Sequence, residues 1–429
     1  MGRMPREESS PSRTPRVLVL GGGFVGLGAA RRLAKAPVDV VLVDANDYHS
    51  FQPMLYQLAT GLVDTTAVAH SLRDLLHDQR NALVHQATVS HIDLERREVE
   101  FADMPALDYD YLVLGLGATV EYFGCEGAEE HAFPLYSVAD ALRLRAQIVR
   151  CFEAADRDPA LVEDGVLNVV VVGGGPTGIE SVGALTELYA GDFSKDFPSL
   201  PVDEARLILV EAGPELLTMF KPKLRAYAQE ELERRGVEVM LNERVAAVEP
   251  TRVTLASGTV LPAHTLVWGA GLRANPVAES LGIELGHGKR VAVGPDLRLE
   301  SHPEVFVGGD IAAIAAEGDA ALPQLGSVAL QSGEHIGDSI AHAVAGKDTQ
   351  PFAYKDKGTM AAIAPGAAVA QMHGGRTMKG ELAYLAWGGV HLTLLAAWDD
   401  RSKAAVDWAW AGVTHERSGR ILVGQEAER

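Results

Sequence analysis

The chain has 429 residues, a length for two or three domains, and 47% of them are apolar, as in a globular protein with a large core. A formal charge of −20 argues against a nucleic-acid partner, which would call for a basic face. The only cysteines, Cys125 and Cys151, lack C-x-x-C spacing, which argues against a redox dithiol or zinc site and suits a cytosolic compartment; no metal is expected.

Residues 1–15 have no apolar core and read as a disordered tail rather than a signal peptide. The run Val17-Leu18-Val19-Leu20 then leads into Gly21-Gly22-Gly23-Phe24-Val25-Gly26 and a helix-like stretch over 27–35. Strand, G-x-G-x-x-G turn and helix are the parts of a dinucleotide site, where glycines admit the pyrophosphate to a helix N-terminus. A second apolar strand ends in Asp44, 18 residues past Gly26, near the spacing of a ribose-binding carboxylate. The pattern alternates strands and helices up to the run Tyr111-Leu112-Val113-Leu114-Gly115-Leu116-Gly117. A helix is expected over 138–155.

The fingerprint then recurs. Val169-Val170-Val171-Val172 leads into Gly173-Gly174-Gly175-Pro176-Thr177-Gly178 and a helix-like stretch over 179–189. The following strand ends in Glu211, 33 residues past Gly178, with 191–201 as the insertion that lengthens the gap. A carboxylate there accepts from a free ribose 2′-hydroxyl and repels a 2′-phosphate, so NADH is expected over NADPH. Leu266-Val267-Trp268-Gly269-Ala270-Gly271 echoes the run that ends at Gly117. Two fingerprints imply two dinucleotides, a flavin at one and a nicotinamide at the other. Farther on, Val305-Phe306-Val307-Gly308-Gly309-Asp310 reads as a strand presenting an acid to a polyol, returning to complete the first domain.

The tail differs from the rest. Residues 371–429 hold seven basic and seven acidic side chains, so the whole net charge lies elsewhere. Four of the five tryptophans fall here: Trp387, Trp398, Trp408 and Trp410. Leucines and the bases Arg376, Lys379, Arg401 and Lys403 accompany them, which suits a helix pair lying in a membrane interface. A packed homodimer interface is the competing reading. No apolar run is long enough for a conventional membrane-spanning helix.

Together these residues resemble the two-dinucleotide flavoproteins, and more narrowly the type II NADH dehydrogenases. The narrow resemblance rests on four stretches. They are Tyr48-His49-Ser50-Phe51-Gln52-Pro53-Met54-Leu55-Tyr56-Gln57-Leu58-Ala59-Thr60-Gly61, Gly173 through Glu180, Pro351-Phe352-Ala353-Tyr354-Lys355-Asp356-Lys357-Gly358-Thr359-Met360-Ala361, and the tail over 382–410. One position departs: where the family's quinone-side helix carries two glutamines, this chain has Ser327 and Gln331.

The resemblance implies an α/β fold of two Rossmann-like domains, for FAD and NADH, with a C-terminal amphipathic membrane-contact segment. The expected boundaries are 16–160 with 295–370 for FAD, 161–294 for NADH and 371–429 for the membrane. Gly21, Gly23, Gly26, Asp44, Gly117 and Asp310 would bind FAD. Gly173, Gly175, Gly178, Glu211 and Gly271 would bind NADH. Tyr56, Gln57, Ser327 and Gln331 would face a quinone. Glu180 would orient the carboxamide and handle protons, although a carboxylate at a helix start also has a simple dipole reason. Lys357 would place a cation near the flavin and pair with Glu180, unless it is a solvated surface lysine. Tyr56 is otherwise a core aromatic. The expected function is peripheral NADH:quinone oxidoreduction at the cytoplasmic face, without proton pumping. A soluble NADH-dependent reductase and a non-enzymatic NADH sensor are the alternatives.

Overall fold

Val169–Val172 is a strand of four valines, every one buried. Arg16–Leu20 is buried from its second residue onward. β-branched and leucine side chains on both faces of a strand call for cover on both sides, the condition of a parallel sheet. In the computed structural model, which describes residues 13–316, 321–414 and 417, each of these strands is the middle of a five-stranded parallel sheet. Most of the expected disordered stretch 1–15 therefore lies outside the described residues, as does most of 415–429.

The chain divides into two compact units, one of residues 1–49, 71–119 and 273–354, the other of 50–70, 120–272 and 355–429. In the first, the strand order is Val305–Val307, Tyr111–Leu114, Arg16–Leu20, Asp39–Asp44, Ala82–Gln86. The helix Phe24–Arg32 follows the first strand and packs on the helix Gly326–Val344. In the second unit the order is Phe133–Pro134, Thr265–Trp268, Val169–Val172, Leu207–Glu211, Val237–Leu241. Each sheet thus sets its fingerprint strand between a strand ending in an acid and a strand leading to a glycine pair. That is the strand order at which open α/β sheets form a ligand crevice.

These boundaries differ from those expected. Residues 120–160 belong with the second sheet, because Phe133–Pro134 pairs with Thr265–Trp268. The helix Val138–Arg157 follows it, started by a capping box between Ser137 and Asp140. Residues 355–370 also join the second unit. Their strand Thr359–Ala364 lies on the helix Pro176–Glu187, where a Cβ on Gly183 would fall 1.5 Å from the Ile363 carbonyl oxygen. Residue 371 ends a strand rather than a domain: Ala367–Gln371 pairs with both Thr359–Ala364 and Thr377–Gly380.

Two helices, Glu381–Leu394 and Trp398–Thr414, follow that sheet. Arg401 closes the turn between them by donating to the carbonyls of Thr393 and Leu395 at 3.1 and 3.0 Å, which satisfies groups left open at a helix end. No helix among the described residues is long and apolar enough to cross a membrane.

Candidate active site

The two glycine loops are built alike. Gly21 and Gly173 have φ of +97° and +110°, a region costly to any other residue. A Cβ on Gly26 would lie 1.8 Å from the Gly21 carbonyl oxygen, and one on Gly178 would lie 1.9 Å from that of Gly173. These glycines let each helix start press against its own loop. Gly23 and Gly175 differ: a Cβ on either meets nothing within 4 Å. Each loop therefore keeps one open side at a helix N-terminus, the approach a pyrophosphate needs. Both loops fit a dinucleotide.

Each loop is also held by the acid of the neighbouring strand. Asp44 Oδ2 accepts from the Gly22 N–H at 2.6 Å, and Oδ1 accepts from Asn46 N–H at 2.7 Å. Burial raises the pKa of Asp44 against these bonds. Glu211 Oε2 accepts from the Gly174 N–H at 2.5 Å, and Oε1 accepts from Gly213 N–H at 2.6 Å. Gly117 and Gly271 both have positive φ, and a Cβ on Gly271 would lie 2.4 Å from the Phe123 ring. Asp310 sits in the short turn Gly309–Ile311 just past its strand; burial lowers the pKa of Arg290, and the Asp310 charge opposes that fall.

Glu180 is the fifth residue of the helix Pro176–Glu187 and lies past its first turn, which holds no acidic side chain, so the expected placement at the helix start is corrected. Its Oε1 accepts from the Ala362 N–H at 3.1 Å. The residue keeps some accessible surface, while its carboxyl group is densely surrounded by protein, and this desolvation lifts its pKa to about 8. The Ala362 bond and Trp387 oppose the rise. The buried Trp387 Nε1–H has no partner in hydrogen-bonding geometry, yet it lies close enough to the carboxylate to favour ionisation. At neutral pH Glu180 thus holds a proton it can give up.

Tyr56 and Gln57 lie beside it, on the short helix Leu55–Ala59. Both are buried. The Tyr56 pKa is pushed well above its usual value, first by burial and then by the Glu180 charge. Gln57 Nε2 donates to the Tyr56 hydroxyl at 3.1 Å. A cavity of about 20 Å³ borders Tyr56, Gln57, Glu180, Tyr384 and Arg417, a volume on the scale of one water.

Two expectations are corrected. Lys357 is exposed and is not among the groups acting on Glu180, so the expected ion pair does not form. Its Asp-Lys-Gly stretch precedes the strand that supplies the Ala362 N–H, and it is this backbone group that reaches the carboxylate. Trp387, counted with the membrane-facing aromatics, is 1% exposed. On the helix Gly326–Val344, Ser327 shares a hydrogen bond with the Tyr354 hydroxyl at 2.9 Å, and Gln331 follows one turn later.

Residues 15–333 match the pyridine nucleotide-disulphide oxidoreductase family. The chain is 35% identical to the type II NADH:quinone oxidoreductase NdhA of Mycobacterium tuberculosis, over 98% of this chain and 92% of that one. The chain belongs to the type II NADH:quinone oxidoreductase family. It is 32% identical to the Staphylococcus epidermidis type II NADH:quinone oxidoreductase over 86% of its length and 92% of that protein's. The fold is that of the Plasmodium falciparum NDH2 solved with NADH, with a TM-score of 0.87 at 18% identity, covering 96% of this chain and all of that one.

Within this member of the type II NADH:quinone oxidoreductases, three groups near Glu180 escaped the sequence reading: the Ala362 N–H, Trp387 and Trp408. A backbone N–H carries no side-chain signal. The tryptophans did carry one. On the helix Glu381–Leu394, Ala383 and Trp387 are spaced i, i+4 and both are buried, while Leu382 and Leu385 are exposed. Sorting the helix by its 3.6-residue period separates these two faces.

Proposed function

We propose that this chain oxidises NADH held at the 173–178 loop, with FAD held at the 21–26 loop, and reduces a quinone while lying on the cytoplasmic face of a membrane. The observation that carries the reading is the pair of open glycine loops, each held by an acid, in a chain that matches the family over nearly its whole length. Bound FAD would supply the hydride-accepting and two-electron-donating chemistry between NADH and the quinone.

The chain's own residues bind, orient and move protons. Asp44 offers its carboxylate to a ribose of FAD, and Asp310 offers one to the polyol, while Gly117 leaves room for close approach. Glu211 accepts from the NADH ribose 2′-hydroxyl and repels a 2′-phosphate, with Gly271 leaving room beside it. Glu180 holds a proton at its carboxyl group and releases it near neutral pH. The Tyr56 hydroxyl and the Gln57 amide hydrogen-bond a quinone carbonyl. Ser327 and Gln331, on the helix Gly326–Val344, are the further candidates for contact with a quinone; the shorter serine reaches less far than a glutamine.

The membrane reading rests on the outer faces of the last two helices. Leu382, Leu385, Trp398, Val406, Trp410 and Val413 are exposed there, and Trp398 is 81% exposed. Isolated exposed leucines are ordinary, but aromatics gathered with them on one helix pair suit a bilayer surface. The test is steady-state turnover of NADH with decylubiquinone and menadione, in liposomes and in detergent, together with flotation of the protein on liposomes. Turnover and flotation together support the reading. NADH oxidation with soluble dyes alone overturns the quinone assignment.

A further inference from the structure

Trp408 lies on the helix Trp398–Thr414, in the stretch whose composition suits a membrane surface. Its side chain turns inwards. The indole Nε1–H donates to Gln57 Oε1 at 2.7 Å, joining residues 351 positions apart. The ring is held in place by its neighbours. It lies 5.7 Å from the Trp387 ring, and a Cβ on Gly388 would come within 3.4 Å of it.

Gln57 is 1% exposed. A primary amide has an acceptor end and a donor end that are nearly equal in shape, so its orientation is set by its partners. An indole N–H can only donate. With Trp408 on the oxygen, the Gln57 NH2 group must point to the Tyr56 oxygen, as it does at 3.1 Å. Tyr56 then accepts from Gln57 and keeps its own hydroxyl proton for another acceptor. Without the indole N–H, the amide is free to flip, accept that proton and leave Tyr56 with nothing to donate.

We propose that Trp408 is a positioning residue for quinone reduction: its N–H fixes the Gln57 amide so that the Tyr56 hydroxyl donates to the quinone carbonyl. The proposal rests on the reading of Tyr56 and Gln57 as quinone contacts. It also makes the seating of the last helix a condition of the acceptor step, because a displaced helix releases the amide.

The test uses the full-length FAD-loaded enzyme in liposomes, with decylubiquinone as acceptor and stopped-flow flavin reduction by NADH as a second readout. Trp408→Phe removes the N–H and keeps an aromatic ring. It lowers kcat with decylubiquinone roughly five- to tenfold, the scale of one buried hydrogen bond, and the loss does not extend to flavin reduction. Gln57→Met causes a loss of its own, and adding Trp408→Phe to it causes no further loss, because the two act through one bond. Should Trp408→Phe fail to retain FAD, 3-benzothienylalanine at position 408 exchanges the N–H for sulfur at nearly unchanged shape and gives the same loss. A native quinone rate in the benzothienyl or Phe variant overturns the proposal. So do losses that multiply in the double variant. A wild-type enzyme that reduces its flavin but not decylubiquinone overturns the underlying quinone reading, and the proposal with it.

Discussion

Glu180 Oε1 accepts the Ala362 backbone N–H at 3.1 Å, the contact that joins the helix Pro176–Glu187 to the strand Thr359–Ala364. One backbone donor does not offset the desolvation of the carboxyl group, whose pKa stands at about 8. A group that is protonated at neutral pH can supply a proton to a reduced quinone and loses that capacity as pH rises. The turnover number with decylubiquinone is therefore expected to fall through about pH 8. Glu180→Gln, which keeps the shape and cannot release a proton, is expected to lower it roughly a hundredfold and to abolish that alkaline limb. A pH profile of both proteins checks this.

The same shift has a consequence for stability, with a sign opposite to that of an ion-paired carboxylate. Folding raises the Glu180 pKa from 4.5 to about 8, so across that window the folded chain keeps a proton that the unfolded chain has released. The contribution is fully present below the unfolded value and is lost as pH rises towards the folded one. The melting temperature of Glu180→Gln, relative to the native protein, should therefore climb across this window and level off above it. Calorimetry of the two FAD-loaded proteins over a pH series measures the difference.

Glu211 holds the second glycine loop through Gly174 and Gly213, and the same carboxylate is the one proposed to read the coenzyme. Replacement by serine should reduce the preference for NADH over NADPH by roughly a hundredfold, the scale on which unfavourable like-charge contacts act. Because the loop also loses its tether, KM for NADH should rise. Ratios of kcat/KM for the two coenzymes test this, and a native enzyme that prefers NADPH would show Glu211 to be misplaced.

Gly23 and Gly175 face open space at negative φ, so the protein's own atoms leave room for alanine at both positions. Gly175→Ala should fold normally, retain FAD and raise KM for NADH by at least roughly tenfold, about 1.4 kcal/mol. Gly23→Ala should fold and lose flavin instead. Flavin absorbance and NADH kinetics of the two variants separate the sites. Equal effects of both on flavin retention would contradict the division of loops between cofactors.

On the last two helices, the proposed membrane contact falls to the exposed side chains. Leu385→Glu with Trp398→Glu should release the protein from liposomes while flavin reduction by NADH continues. Each fully buried apolar side chain is worth roughly 1.5–3 kcal/mol, so the pair should weaken partitioning on the order of a hundredfold or more. Trp387→Glu is not an equivalent probe, because it places a charge against Glu180 inside the protein. If the exposed-face variants still float on liposomes, the membrane assignment fails; if they become monomeric instead, that face covers a second copy of the chain.

Both dinucleotide loops were legible in the sequence because every part of the signal is local. A buried strand, three glycines, a helix and a strand ending in Asp44 or Glu211 follow one another within a few tens of residues. The fold class followed from seeing this order twice. What escaped depends on contacts distant in sequence. Phe133–Pro134 is a two-residue strand with no periodic signal, so its pairing with Thr265–Trp268 and the unit boundary that follows were not legible. Aromatic residues gathered in the tail suggest an interface without separating the rings that face outwards from those that face the core. Composition does not distinguish Trp398, in solvent, from Trp408, which is bonded to Gln57. Lys357 was placed by its motif, whereas the backbone of the next strand fills the position beside Glu180.

The proposed function is electron transfer from NADH through bound FAD to a quinone. Its most direct test is a single preparation of the full chain in liposomes, mixed anaerobically with NADH and decylubiquinone, with flavin, NADH and quinone absorbance followed together. The expected result is a yellow protein whose flavin bleaches on adding NADH and recovers as quinone is consumed, with one quinone reduced for each NADH oxidised. A protein that cannot be loaded with FAD, or whose flavin stays reduced by NADH in the presence of the quinone, would contradict it.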